Sequence, residues 1–265
     1  MKYGATNLAF LPIKDEIRRF AEMGFDYLEL GLDAPTGHYT VIREMKKEIL
    51  GELEKHSMGL VCHLPTFVCT ADMTESIRKA SLEEMLNSVA VSSEIGASKA
   101  VLHPAMTTWL GFLAMDRVRD YADEALEKIM EQAEKSNICL CLENMFPRYG
   151  YFFDPVDFLE VLERFPLIRL TLDVGHANIE DKTGKRLAEF VKVLGKYISH
   201  VHISDNKGKE DEHLPLGVGK INFKEVIRLL EMIDYNDTVT FEIFTPDRTY
   251  PGESLKRFKE MKNHG

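Results

Sequence analysis

The chain has 265 residues, 45% of them hydrophobic, and a formal net charge of −10 at pH 7. An acidic balance of that size weighs against a non-specific nucleic-acid binder, which normally shows a basic face, although bound cations escape a sequence count. No apolar run approaches the roughly 20 residues of a membrane span, and the opening MKYGATNLAF lacks the regions of a signal peptide.

In chain order, eight short β-branched or aliphatic runs each precede a segment of helical period. The runs are about Tyr3 to Thr6, Tyr27 to Leu30, Leu60 to His63, Lys99 to His103, Ile138 to Glu143, Ile168 to Asp173, Ser199 to Ile203 and Val239 to Phe244. The helical segments are Lys14 to Glu22, Val41 to His56, Glu75 to Ile95, Arg117 to Ser136, Pro155 to Arg164, Arg186 to Leu194, Phe223 to Ile233 and Glu253 to Lys262. Thr74 before Glu75, and Asp154 before Pro155, read as helix starts. Eight β/α alternations, with no linker and no shift of composition, predict one domain over residues 1–265: a parallel eight-stranded (β/α)8 TIM barrel. Four cysteines, Cys62, Cys69, Cys139 and Cys141, make no Cys-x-x-Cys pair and no disulfide-rich spacing, so a reduced, cytoplasmic setting is expected. Alternation puts Cys139, Cys141 and Glu143 on one face of the fifth strand and Leu140 and Leu142 on the other. The leucines suit the helix layer, so the cysteines should point inward as small packing residues.

Ionisable residues gather at one end of these strands. His63 ends the third (VCHLP), His103 the fourth (VLHPA) and Glu143 the fifth (CLEN). Asp173 ends the sixth with His176 close behind (LDVGHAN), His202 ends the seventh, and Glu242 ends the eighth (TFEIF). Asp211 and His213 lie in the loop after the seventh strand, before a Gly-Val-Gly turn. A lone buried histidine is usually a satisfied core residue. A parallel barrel, however, brings all these ends to its C-terminal rim, where such folds do their chemistry. Imidazole and carboxylate together suit a borderline divalent cation such as zinc. Glu143, Asp173, Asp211 and Glu242 cannot all stay ionised in one partly enclosed rim without cations between them. One divalent ion would leave the cluster negative, and three would leave about two positive charges, attractive to a phosphate.

The segments LDVGHAN, HVHISDN with DEHLPLGVG, and FEIF resemble the xylose-isomerase-like barrel superfamily, which includes endonuclease IV and the sugar-phosphate isomerases and epimerases. The resemblance spans almost the whole chain. Its endonuclease IV branch (AP endonuclease family 2) implies up to three zinc ions. His63, His103 and Glu143 would hold one. Asp173, His202 and Glu242, with Glu143 bridging, would hold a second, and His176, Asp211 and His213 a third. The epimerase branch implies one divalent ion, Mn2+, Co2+ or Mg2+, on Glu143, Asp173, His202 and Glu242, with Glu143 and Glu242 as catalytic acid and base. That branch usually carries an arginine after the seventh-strand histidine, and here Lys207, Lys209 or nothing stands in its place. The endonuclease branch probes DNA partly from the loop after the second strand, where GLDAPTGHYT is short and has no arginine before Arg43.

The leading expectation is therefore hydrolysis of a phosphoester, in abasic-site DNA or a smaller sugar phosphate, at a multinuclear zinc site. The alternative is a one-metal sugar or sugar-phosphate isomerase or epimerase, and a metal-dependent binding protein on a degenerate barrel is the non-enzymatic reading. No membrane and no obligate protein partner is inferred. Glu29, Trp109 and Arg148 are candidates for substrate contact, as a barrel carboxylate, a stacking ring and an anion clamp. Each also has a plain structural reading. His200, one pleat below His202, should lie a layer deeper and orient a ligand. His38, His56 and His264 receive no role.

Overall fold

In the computed structural model, which describes residues 1–181 and 183–263, the expected strands pair in sequence order. They are β1 (Lys2–Thr6), β2 (Tyr27–Gly31), β3 (Gly59–His63), β4 (Lys99–Leu102), β5 (Cys139–Glu143), β6 (Arg169–Asp173), β7 (Ile198–Ile203) and β8 (Thr238–Phe241). Every pairing is parallel, and β1 also pairs with β8, so the sheet closes into a (β/α)8 barrel. The helices are α1 (Ile13–Glu22), α2 (Tyr39–Lys55), α3 (Glu75–Glu94), α4 (Met115–Lys135), α5 (Leu159–Arg164), α6 (Val174–Asn178), α7 (Arg186–Leu194), α8 (Phe223–Met232) and α9 (Tyr250–Asn263). None of the described helices is long and apolar enough to cross a membrane.

Strand alternation sorts the side chains. Leu28, Leu30, Leu140, Leu142, Leu170 and Leu172 join the large apolar layer between sheet and helices, with Phe20, Phe158, Phe190 and Phe258 fully buried beside them. Inside the barrel the apolar core is small, a cluster of Tyr27, Val61 and Val101. Much of the rest of the interior is polar: Lys99 Nζ reaches the Ser199 carbonyl and Thr238 Oγ1, the latter 3.0 Å away. Cys139 and Cys141 share a face as expected, free thiols with Sγ atoms 4.0 Å apart.

Several boundaries shift by one to three residues from the sequence expectation, and three of the differences bear on the site or its surroundings. β8 stops at Phe241, because the ladder with β1 and β7 runs out there, so Glu242 starts the loop beyond it. β4 stops at Leu102, one residue before His103. The stretch after Asp154 begins as a 3-10 turn, Pro155–Phe158, closed by a capping box between Asp154 and Asp157, before α5 takes over. A short helix, α6, was not anticipated. Asp173 caps it, its Oδ1 accepting the His176 N–H at 2.5 Å. His38 and His56 flank α2, His38 as its N-cap residue, and His264 lies outside the described residues.

The loop after β7 is folded around one carboxylate. Asp205, fully buried, accepts backbone N–H groups from Asn206, Gly217, Gly219 and Ile221 at 2.8–3.1 Å. Its own backbone pairs in both directions with Leu214. The Gly-Val-Gly turn is thereby explained. Gly217 has φ +83°, and a Cβ on Gly219 would stand 2.2 Å from Asp205 Oδ1. Asp205→Ala would leave four backbone N–H donors without their buried acceptor and is expected to cost about 3 kcal/mol. Denaturant titration measures that loss, and limited proteolysis between residues 206 and 219 should reveal the loosened loop.

Candidate metal centre

The strand register lifts a set of ligating side chains to one level. Asp173 sits opposite His202, and His202 opposite Thr240, while Glu143 stands opposite Thr171. Among the described residues, three groups bring donor atoms within 4.8 Å of one another: His63, His103 and Glu143; Glu143, Asp173, His202 and Glu242; and His63, His202 and Glu242 with Glu29 beneath them. Glu143 belongs to the first two. It is fully buried, with Oε2 3.4 Å from His63 Nε2 and 3.2 Å from His103 Nε2. Its Oε1 lies 3.2 Å from His202 Nδ1 and 3.4 Å from His176 Nδ1. The remaining expected donors are adjacent, with Asp211 Oδ2 3.2 Å from His176 Nε2 and 2.9 Å from His213 Nε2. All nine residues are thus brought to one place.

Backbone carbonyls set the tautomers. His63 Nδ1 lies 2.9 Å from the Leu64 carbonyl oxygen, His176 Nδ1 2.8 Å from that of Asn144, and His213 Nδ1 3.2 Å from that of Glu242. A carbonyl oxygen only accepts, so Nδ1 carries the hydrogen and Nε2 is left with its lone pair. That lone pair then faces a carboxylate oxygen in each case: Glu143 for His63, Asp211 for His176 and His213. Two acceptors meeting at about 3 Å repel unless a proton or a cation lies between them. Glu143 Oε2, Asp173 Oδ2 and Asp211 Oδ1 are buried without a hydrogen-bond partner, as ligand oxygens would be. The donor set therefore fits divalent metal.

Without metal, protons do that work. Burial pushes the His63 imidazole down, but Glu143 overrides it and lifts His63 to about 9. His176 and His202 are held well above the ordinary value against the same burial effect, by Asp173 and Asp211 in one case and by Glu242, Glu29 and Glu143 in the other. Burial lifts the Asp173 carboxyl to about 7, with Glu143 repelling its charge and His176 opposing the rise. Burial works against ionised Glu143 too, but His202 and His103 hold it well below the usual range.

Three sequence candidates fall elsewhere. Glu29 is fully buried under the rim, not on the cavity wall. Its Oε2 lies 2.8 Å from His200 Nε2, and its Oε1 lies 2.9 Å from His202 Nε2, an ion-pair contact whose angle falls short of a hydrogen bond. A carboxylate behind Nε2 leaves Nδ1 of His202 as the donor toward Glu143, Asp173 and Glu242, so Glu29 orients His202. His200 lies deeper as expected, with Nδ1 2.7 Å from Thr238 Oγ1. Trp109 stands 78% exposed in the loop after β4, outside the cavity lining. Arg148 is engaged by Glu180 at 3.1 Å and Glu210 at 3.0 Å, which occupies the guanidinium. Asn144 and Asn7 are site residues that the sequence reading missed. Asn144 clamps the end of β6, giving its amide to the Asp173 carbonyl and accepting the Asp173 N–H. Both follow an expected strand end directly, the same positional signal that identified the histidines.

A cavity of about 560 Å³ lies over the cluster, with His63, His103, His176, Asp211, His213 and Glu242 on its polar side. Phe10, Phe67, Phe146, Tyr149 and Phe244 form its apolar walls. Closed parallel barrel and buried imidazole–carboxylate rim together define a barrel enzyme whose rim could bind a metal ion. The chain belongs to the xylose isomerase-like TIM barrel family, whose model matches residues 17–261. It is 32% identical to an uncharacterized protein of Methanocaldococcus jannaschii, over 99% of this chain and 91% of that one. It is 24% identical to fructoselysine 3-epimerase of Shigella flexneri, over 95% and 94% of the two chains. The solved structure of a D-tagatose 3-epimerase-like protein superposes with a TM-score of 0.84 at 29% identity, covering 100% of this chain and 99% of the other.

The protonated histidines give a signed expectation. Folded-state values raised above 6.5 stabilise the metal-free protein at low pH, and that contribution fades as pH rises through about 9 for His63. Asp173, raised to about 7, acts in the same direction. An incoming ion must displace these protons, so its stabilising increment should grow between about pH 6.5 and 9. Thermal melts with and without metal across that range check this. Calorimetry in buffers of different ionisation enthalpy should show proton release.

Proposed function

We propose that the protein is a divalent-metal-dependent epimerase or isomerase of keto sugars, moving a proton at a carbon that flanks a carbonyl. The observation that carries this reading is the quartet Glu143, Asp173, His202 and Glu242, its donor atoms within 4.8 Å of one another beside a cavity that, among the described residues, no lysine or arginine lines. Relatives named as 3-epimerases support it. Phosphoester hydrolysis, the leading expectation from the sequence, has less behind it, since a phosphorylated substrate would meet Asp33, Asp211 and Glu242 with no lysine or arginine among the described lining residues.

An ion held by the quartet would supply Lewis acidity to the substrate's carbonyl and a neighbouring hydroxyl oxygen. Glu242, 6% exposed, faces the cavity, and Glu143 is buried behind it. One carboxylate takes the proton from the carbon while the C–H electron pair moves into the carbonyl. The other, held ionised in the metal-free chain like its partner, first takes up a proton from solvent and returns it to the opposite face, so atoms and charge balance and the two exchange roles in reverse. Three carboxylates and one imidazole suit Mn2+, Co2+ or Mg2+, whereas the histidine-rich remainder suits Zn2+. A cytoplasmic setting agrees with four free cysteines.

A second reading, hydrolysis at up to three zinc ions, is favoured by one observation. His63, His103, His176, Asp211 and His213 add donors that proton transfer does not need, and they converge on the same rim. Metal analysis separates the two, with one exchangeable ion per chain expected for the isomerase and close to three zinc for the hydrolase. His213→Ala should then leave most epimerase activity and abolish hydrolysis.

Incubation of metal-loaded protein with a panel of free ketohexoses in deuterated water should place deuterium at the carbon beside the carbonyl. Glu143→Gln and Glu242→Gln should each lower that exchange by at least about 100-fold. Incision of abasic-site DNA with no exchange on any ketose would reverse the order of the two readings.

A further inference from the structure

The cavity has two characters. One side is the polar rim described above, and the other carries Phe10, Phe67 and Phe244 from three different loops, 69%, 78% and 40% exposed. Exposed phenyl rings are individually unremarkable in energy terms, but three lining one cavity give it an apolar collar. Met106 and Met145 extend that wall inward, and unbranched thioethers adapt to varied apolar shapes. The cavity volume, about 560 Å³, falls in the range of drug-sized ligands, about 300–1,000 Å³, well beyond one sugar ring.

Asn7 supplies the polar anchor. It is 3% exposed at the end of β1 and lines the cavity. Its Oδ1 is fixed by the Gly31 N–H at 2.8 Å, which sets the amide, and its buried Nδ2 has no partner. An unmet N–H group in such a place costs free energy until a ligand oxygen accepts from it. Hydroxyl and carbonyl oxygens serve that purpose. A phosphate would meet the carboxylates of Asp33, Asp211 and Glu242 with no described lysine or arginine in the lining to clamp it.

We infer that the substrate is a phosphate-free keto sugar bearing an apolar substituent, its ring oxygens read by Asn7 Nδ2 and its substituent seated against Phe10, Phe67 and Phe244. The inference rests on the keto-sugar reading and names the substrate class of that same site. Hydrophobic contact with two or three rings is worth a tenfold or greater preference, by the contribution of about 1.5–3 kcal/mol for a buried apolar side chain.

The test compares three kinds of probe on the metal-loaded full chain: a free hexulose, its 1-O- and 6-O-benzyl ethers, and its 6-phosphate. A benzyl ether should exceed the free sugar at least tenfold in kcat/KM for deuterium exchange, and the phosphate should fall at least tenfold below it. Phe10→Ser with Phe67→Ser should bring the benzyl-to-free ratio within threefold of one. Asn7→Asp, which keeps the oxygen bound to Gly31, should weaken all sugar binding tenfold or more at unchanged metal affinity. Binding of the corresponding unreactive hexitols, measured by calorimetry, separates the two layers of the argument. Tighter binding of the benzyl hexitol with no exchange on any ketose would retire the reaction and support the pocket. Equal turnover of all three probes would retain the reaction and overturn the inference. So would a collar variant that splits a dimer while leaving the probe ratios unchanged, because the collar would then join two copies of the chain.

Discussion

The structure turns on a carboxylate that has nowhere to put its charge. Glu143 is fully buried and looks at four imidazoles, His63, His103, His176 and His202. Three neighbouring histidines have their Nδ1 hydrogens committed to backbone carbonyls, so lone pairs face carboxylate oxygens around the rim. Such an arrangement is tolerable only with positive charge at its centre, as protons or as metal. The elevated proton affinities of His63, His176 and His202 express that demand in the metal-free chain.

The barrel meets this demand through register. Closing eight parallel strands raises their C-terminal ends to one ring, and alternation decides which residues face the axis. Below the ring, Glu29 ties His200 and His202 together, with Thr240 and Tyr27 continuing the contact downward. The ligands thus stand on a polar column and not on a greasy barrel core, which is why Tyr27, Val61 and Val101 form so small a cluster. Orientation is consequently set from beneath by hydrogen bonds, with few flexible parts.

Much of this could be read from residue order. Period-two runs and strand-end carboxylates gave the barrel and the level of the ring, because parallel closure leaves those residues one place to go. The errors have physical causes. Glu29 alternates with the inward face just as Glu143 does, and sequence cannot tell a carboxylate that reaches the cavity from one stopped a layer below by two histidines. Arg148 looked like an anion clamp, but Glu180 and Glu210, distant in sequence, claim it. α6 is only five residues long, too short for periodicity to register. The phenyl collar was invisible because Phe10, Phe67 and Phe244 lie far apart in the chain and share no pattern.

Asp173 has a double duty whose effect reaches past chemistry. One of its oxygens starts α6 by taking the His176 N–H, while the other lies buried toward the ring without a partner. Substitution of this aspartate therefore removes more than one ligand among several, since the turn that presents His176 loses its cap along with it, a loss of about 1 kcal/mol. Substitution of His176, by contrast, leaves the Asp173 carboxylate in place.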